Sequence, residues 1–129
     1  MDVRTHDKID RSLSGTPRAL GDGSAEVELV VDERMRADSH GLAHGGFVFG
    51  LADYAAMLAV NEPTVVLAEA TMRFLAPVVV GDTVIARARV ESADGKKRRV
   101  VVEVMRADTK VVEATFACAV PSVHVRLRR

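Results

Sequence analysis

The run Phe47-Val48-Phe49-Gly50-Leu51-Ala52-Asp53-Tyr54-Ala55-Ala56-Met57-Leu58-Ala59-Val60 constrains this chain more than any other segment, because it is apolar nearly all round at helical spacing and carries one acid. A helix with no polar side must be covered on most of its faces. It falls short of the roughly 20 apolar residues that span a bilayer, so it reads as a core helix. Gly45-Gly46 opens it, and Asn61-Glu62-Pro63 is a stop signal, since proline cannot continue a helix.

The remaining sequence alternates as strands do. Ala25, Val27, Leu29 and Val31 interleave with Glu26, Glu28 and Val30, the period of a strand with one buried face. Strands are expected at about 25–31, 64–76, 82–93, 97–107 and 110–120, with a short helix over 5–13 and a turn at Gly15-Thr16-Pro17. Asp94-Gly95 sits between two alternating runs and marks a hairpin, because both residues tolerate positive φ. The fold class is therefore α+β, a curved antiparallel sheet of about five strands wrapped around one central apolar helix. A chain of 129 residues is too short for two cores, so residues 1–129 are expected to form a single domain. One small sheet covers only part of such a helix. The rest predicts a second subunit, with edge strands pairing across a two-fold axis in a homodimer or homotetramer.

Charge narrows the partners. A net charge of +0 gives no electrostatic footprint for nucleic acid or an anionic membrane. No apolar leader region follows Met1-Asp2-Val3-Arg4, and the lone Cys118 has no partner for a disulfide, so a reducing cytoplasm is expected. Cys118 itself, between Ala117 and Ala119, reads as a buried small hydrophobe. His6, His40, His44 and His124 lie in separate segments without the paired spacing of a zinc site, and no phosphate-loop fingerprint is present.

Asp53 is the residue that core packing does not explain. A carboxylate among Leu, Ala, Phe and Met is costly to bury, and its pKa tends to rise toward the range useful to a general base. Its alternative reading is a structural carboxylate. Ahead of it, His44, Gly45 and Gly46 stand where a helix N-terminus offers unpaired N–H groups and a positive dipole end.

The string His44-Gly45-Gly46 followed by Leu51-Ala52-Asp53, then Arg73-Phe74-Leu75-Ala76-Pro77 and Gly81-Asp82-Thr83, resembles the hotdog-fold acyl-CoA thioesterases of the phenylacetate-pathway (PaaI-like) type, in particular a short prokaryotic branch. The likeness spans about residues 24–120. It implies hydrolysis of a thioester to a carboxylic acid and coenzyme A, with no metal or prosthetic cofactor. It also implies that Asp53 acts as general base on water or as nucleophile, that the Gly45 N–H polarises the thioester carbonyl, and that His44 supports the site. Physical chemistry agrees: a helix N-terminus suits charge developing on a carbonyl oxygen, and glycine admits close backbone approach. Further substrate-binding candidates are Asp38, Gly46, Glu69, Thr71 and Arg73. The basic run Lys96-Lys97-Arg98-Arg99 and Arg73 are candidates for the phosphates of coenzyme A, against the plainer reading of exposed hairpin charge.

Two positions depart from the resemblance. Many relatives carry Asn or Gln where this chain has Asp38, which cannot donate a hydrogen bond unless protonated, and those that use a helix-borne Ser or Thr one turn after the acid have it where this chain has Met57. Hydratase chemistry on this fold would place a histidine at Leu58, so that reaction is disfavoured. The competing function class is a non-catalytic acyl-CoA binding or sensing module. Spacing adds a constraint of its own: Gly45 and Asp53 are about 12 Å apart along one helix at roughly 1.5 Å per residue. Base and carbonyl donor must meet at one carbon, so the site is expected to be shared across a dimer, with Gly45 from one subunit and Asp53 from the other.

Overall fold

The alternation of small and branched apolar residues with charged ones sets the inward faces of the sheet. In a computed structural model covering residues 1–129, six strands form one antiparallel sheet: β1 (Thr16–Gly21), β2 (Ser24–Val30), β3 (Val66–Phe74), β4 (Thr83–Asp94), β5 (Lys97–Arg106) and β6 (Thr109–Ala119), in the spatial order β1-β2-β4-β5-β6-β3. The inward side chains Val27, Leu29, Val84, Ala86, Val100, Val102, Val104 and Phe116 pack on one long helix, α2 (Gly45–Val60), with which they form a single hydrophobic core. This is the expected hotdog arrangement.

The sheet has one strand more than expected. Thr16–Gly21 is not a turn but the edge strand β1, which enters the ladder with Thr16 opposite Glu28. The Asp22-Gly23 pair that joins it to β2, with Gly23 at φ 76°, was the signal that exposes it. Pro17 hides the strand in the sequence, yet proline is tolerated at a sheet edge, where its missing N–H can face outward. The expected helix over 5–13 shortens to α1 (Arg11–Ser14), capped by Asp10, whose carboxylate accepts from the Ser12 N–H at 2.9 Å. At the Asp94-Gly95 hairpin, Asp94 pairs with Lys97, so Gly95 (φ 60°) and Lys96 make the turn.

Coverage of α2 also differs from expectation. Residues 1–15 run over the outer side of α2, with Val3, Ile9 and Leu13 packed on the core and Thr5 buried. Asn61 anchors this strap. It ends α2 in the left-handed conformation (φ 51°), and its side chain accepts from the Arg4 N–H and donates to the Asp2 carbonyl, each at 2.8 Å. Gly15 lets the chain pass closely: at φ 108° it sits where an added Cβ would come within 2.7 Å of Val27 and 2.8 Å of Leu51. Strap and sheet together bury Val48, Leu51, Ala52 and Tyr54 to Ala59 within one chain. Gly45, Gly46, Phe47, Phe49, Gly50, Asp53 and Val60 stay at least partly open, and of these Gly46, Phe49, Gly50 and Asp53 form a stripe at helical spacing.

The two sheet edges are unlike. β1 is short, carries Pro17 and is irregular at Arg18. β3 runs for nine residues, and Ala68, Glu69, Ala70 and Thr71 are exposed along it. Natural sheets blunt an edge with proline, bulges and brevity. Past its irregularity at Ala68, β3 has none of these.

Candidate active site

His44 begins the site by ending a loop. It takes an extended conformation (φ −64°, ψ 129°), and its Nδ1 accepts the Gly46 N–H at 2.8 Å, which makes it the N-cap of α2 and puts the ring proton on Nε2. Gly46 is glycine for that reason: a Cβ there would lie 2.8 Å from the His44 ring. Of the first three helical N–H groups, Gly46 bonds His44 Nδ1 and Phe47 bonds the His44 carbonyl, whereas the Gly45 N–H has no acceptor within the chain. It faces an apolar groove of about 310 Å³ lined by Leu42, Ala43, Val48, Phe74, Pro77 and Val78, among others.

Asp53 lies two turns further along the open stripe of α2. Burial without compensating hydrogen bonds raises its carboxyl from an ordinary 3.8 to about 6. Its Oδ1 is fully enclosed and has no hydrogen-bond partner. The stripe faces β6: the Phe49 ring is 5.8 Å from Phe116, and Cys118 feels the Asp53 charge. Cys118 is itself buried, with its thiol raised to about 11, which leaves it unreactive as a thiolate. No three His, Cys, Asp or Glu side chains gather as metal ligands do.

Other expected contributors lie elsewhere. Asp38 holds its own loop: Oδ1 accepts the N–H groups of His40 (2.9 Å) and Leu42 (3.1 Å). That is an Asx-type turn, and a carboxylate so engaged explains why an amide is not needed at this position. Glu69, Thr71 and Arg73 stand opposite Ala117, Thr115 and Glu113 on β6, on the solvent face of the sheet, while Phe116 and Cys118 point inward to α2. The sheet therefore separates them from Asp53 of the same chain. Thr71 and Arg73 instead line an outer groove of about 640 Å³ with Arg87, Arg89, Glu103 and Lys110, and Arg73 pairs with Glu113 at 3.1 Å. In the basic hairpin, Arg99 pairs with Glu91 at 2.8 Å, and Arg98 donates to the carbonyls of Gly95 and Lys97. Sequence reasoning overlooked Gly50, whose place beside Asp53 emerges only when the strap has claimed the rest of the helix.

Residues 40–113, which include the His44-to-Asp53 segment and both grooves' main walls, match the family model of the Thioesterase superfamily. The chain belongs to the thioesterase superfamily. Among solved structures, this superfamily member is similar to the Pyrococcus horikoshii protein PH1136, with a TM-score of 0.96 and 51% identity over 98% of this chain and 97% of that one. The PaaI protein of E. coli shares its fold, with a TM-score of 0.81 at 24% identity, covering 92% of this chain and 88% of that one. By sequence it is 53% identical over 116 residues to the methylthioribose-1-phosphate isomerase of Aquifex aeolicus, covering 90% of this chain and 25% of that protein. It is also 36% identical over 63 residues to the transcription factor FapR of Bacillus cereus, covering 49% of this chain and 32% of that protein. The chain thus spans only about a quarter to a third of the length of these two relatives. No helix is long and apolar enough to cross a membrane.

Proposed function

We propose that the protein is an acyl-CoA thioesterase whose active sites are shared between two subunits. The observation that carries this reading is half-buried Asp53, with an enclosed, unpartnered Oδ1 and a carboxyl raised to about 6, on a half-open stripe of α2. Asp53 takes a proton from water, or attacks the thioester carbon itself, and the Gly45 N–H of the second subunit stabilises the oxygen that becomes negative. The tetrahedral intermediate then expels the coenzyme A thiolate, which gives the acid directly when water attacked, or a mixed anhydride with Asp53 that a water then hydrolyses when Asp53 attacked. Three features support sharing. Asp53 and Gly45 ride one unbroken helix, which keeps them about 12 Å apart at roughly 1.5 Å per residue. The Gly45 N–H is open, and the long edge of β3 is free to pair with a second β3. His44 keeps the helix N-terminus in shape and is a positioning residue.

The test pairs two inactive variants. Gly45→Pro removes the N–H and adds ring carbons beside Phe74 while keeping the helix start, because proline is favoured at the first helical position and His44 already has the extended geometry that a residue before proline needs. Asp53→Asn removes the base. If sites are shared, refolding the two together restores roughly a quarter of wild-type turnover, since random pairing makes half the dimers mixed and each has one intact site of two. No restoration from a mixture of individually folded, inactive variants refutes the shared site. A second reading, an acyl-CoA sensing module, draws on the partial match to a transcription factor. Acyl-CoA binding by wild type without thiol release would favour it.

A further inference from the structure

Gly50 occupies the middle of α2, where glycine weakens a helix relative to alanine. Every reason internal to the chain is missing. Its φ is not positive, so the backbone does not demand glycine. A Cβ built on it meets nothing within 4 Å, in contrast to Gly15 and Gly46, where a Cβ would collide. The space that glycine leaves here is not filled by this chain.

Its neighbours indicate what that is. Gly50 is one turn before Asp53 on the same half-open stripe. Helical side chains lean toward the N-terminus, which puts Asp53 on the same side of α2 as the turn that Gly50 leaves bare. The other wall is the Phe49 ring, packed against Phe116. The bare space thus lies beside half-buried Asp53, whose Oδ1 is enclosed and unpartnered, and beside aromatic carbon. A pantetheine arm would bring amides into it with no partners, at the cost of desolvating them. An acyl group would not.

We infer that the absent side chain at Gly50 makes the room in which the first carbons of the acyl group lie against Asp53, so that residue 50 sets the acyl size this protein accepts. The inference rests on the thioesterase reading above. It is tested with Gly50→Ala and Gly50→Val assayed on acetyl-, hexanoyl-, decanoyl- and benzoyl-CoA, alongside melting temperature and molar mass in solution. Gly50→Ala is expected to melt at or above the wild-type temperature, since alanine favours helix and nothing is in its way. Its kcat/KM should fall several-fold on benzoyl- and decanoyl-CoA. Gly50→Val should lose ten-fold or more on those substrates, mainly through KM, with acetyl-CoA turnover least affected.

An equal change on all four substrates, or none, in folded variants overturns the inference and leaves the thioesterase reading standing. Dissociation of the dimer in parallel with lost activity also overturns it, because Gly50 would then seat a partner helix. Should wild type release no thiol, binding of the matching S-alkyl-CoA thioethers, measured by calorimetry, reads the same size series. Wild type that neither turns over nor binds any of them refutes the thioesterase reading, and this inference with it.

Discussion

At the scale of single residues, the proposed function assigns chemistry to Asp53 and support to His44. A carboxyl whose folded pKa is raised from 3.8 to about 6 binds its proton more tightly in the folded than in the unfolded chain. Asp53 therefore lowers stability as pH rises from about 4 through about 6, while the base form that catalysis needs accumulates over the upper part of that range. Thioesterase activity should rise with pH through about 6 and level off, as a pH profile of kcat/KM will show. Asp53→Asn should cost 100-fold or more in kcat. The same change should raise stability at pH 8 by ~1 to 2 kcal/mol in denaturant titration, because it removes an ill-solvated charge that is still partly open to water. His44 was legible in the sequence as a candidate, but its role as the N-cap of α2 was not. Loss of the cap in His44→Ala should cost ~1 kcal/mol, and His44→Asn, a good N-cap, should restore most of it. Recovery of activity together with melting temperature in the Asn variant would mark His44 as a positioning residue.

At the scale of elements, the central helix and five of the six strands were readable because their patterns are strong and local. Residues 45–60 are apolar throughout apart from one acid, and strands such as Lys97–Arg106 alternate with a clean period of two. β1 was not readable, because Pro17 and the irregularity at Arg18 break the period, and only the pairing to β2 makes Thr16–Gly21 a strand. Edge strands depend on their neighbour for identity, whereas central ones announce it. The same contrast concerns function, since β3 lacks the blunting that protects β1. Placing Lys at both Glu69 and Thr71, exposed on the outward face of β3, should block pairing of two β3 edges by charge repulsion. Light scattering should then report a monomer, and turnover should be lost while the circular dichroism spectrum is kept. A fully active monomer would remove the shared site from consideration.

At the scale of the whole molecule, the strap of residues 1–15 changes what the apolar helix demands. An all-apolar helix beside one sheet calls for another layer, and sequence reasoning assigned that layer to a second subunit. The chain supplies most of it itself, and Asn61 holds it there with hydrogen bonds to Arg4 and Asp2. Asn61→Ala removes both bonds and a residue suited to the left-handed cap, so it should cost ~2 kcal/mol and speed proteolysis of the first fifteen residues, read by limited digestion. With the strap in place, the need for a partner contracts to one stripe and one sheet edge. That contraction concentrates any dimer contact around Asp53 and β3.

The sequence by itself determined the apolar helix, the alternating strands, the family likeness and the acid out of keeping with its surroundings. Each follows from periodicity or from residue chemistry within a short window, which any fold must respect. Only the tertiary structure decided that Asp38 is spent on its own loop, that Glu69, Thr71 and Arg73 lie across the sheet from Asp53, and that Gly50 has no partner. Those facts depend on which face a strand turns inward and on what the distant first fifteen residues cover. Such matters are settled by packing between segments far apart in the chain, and no local pattern records them.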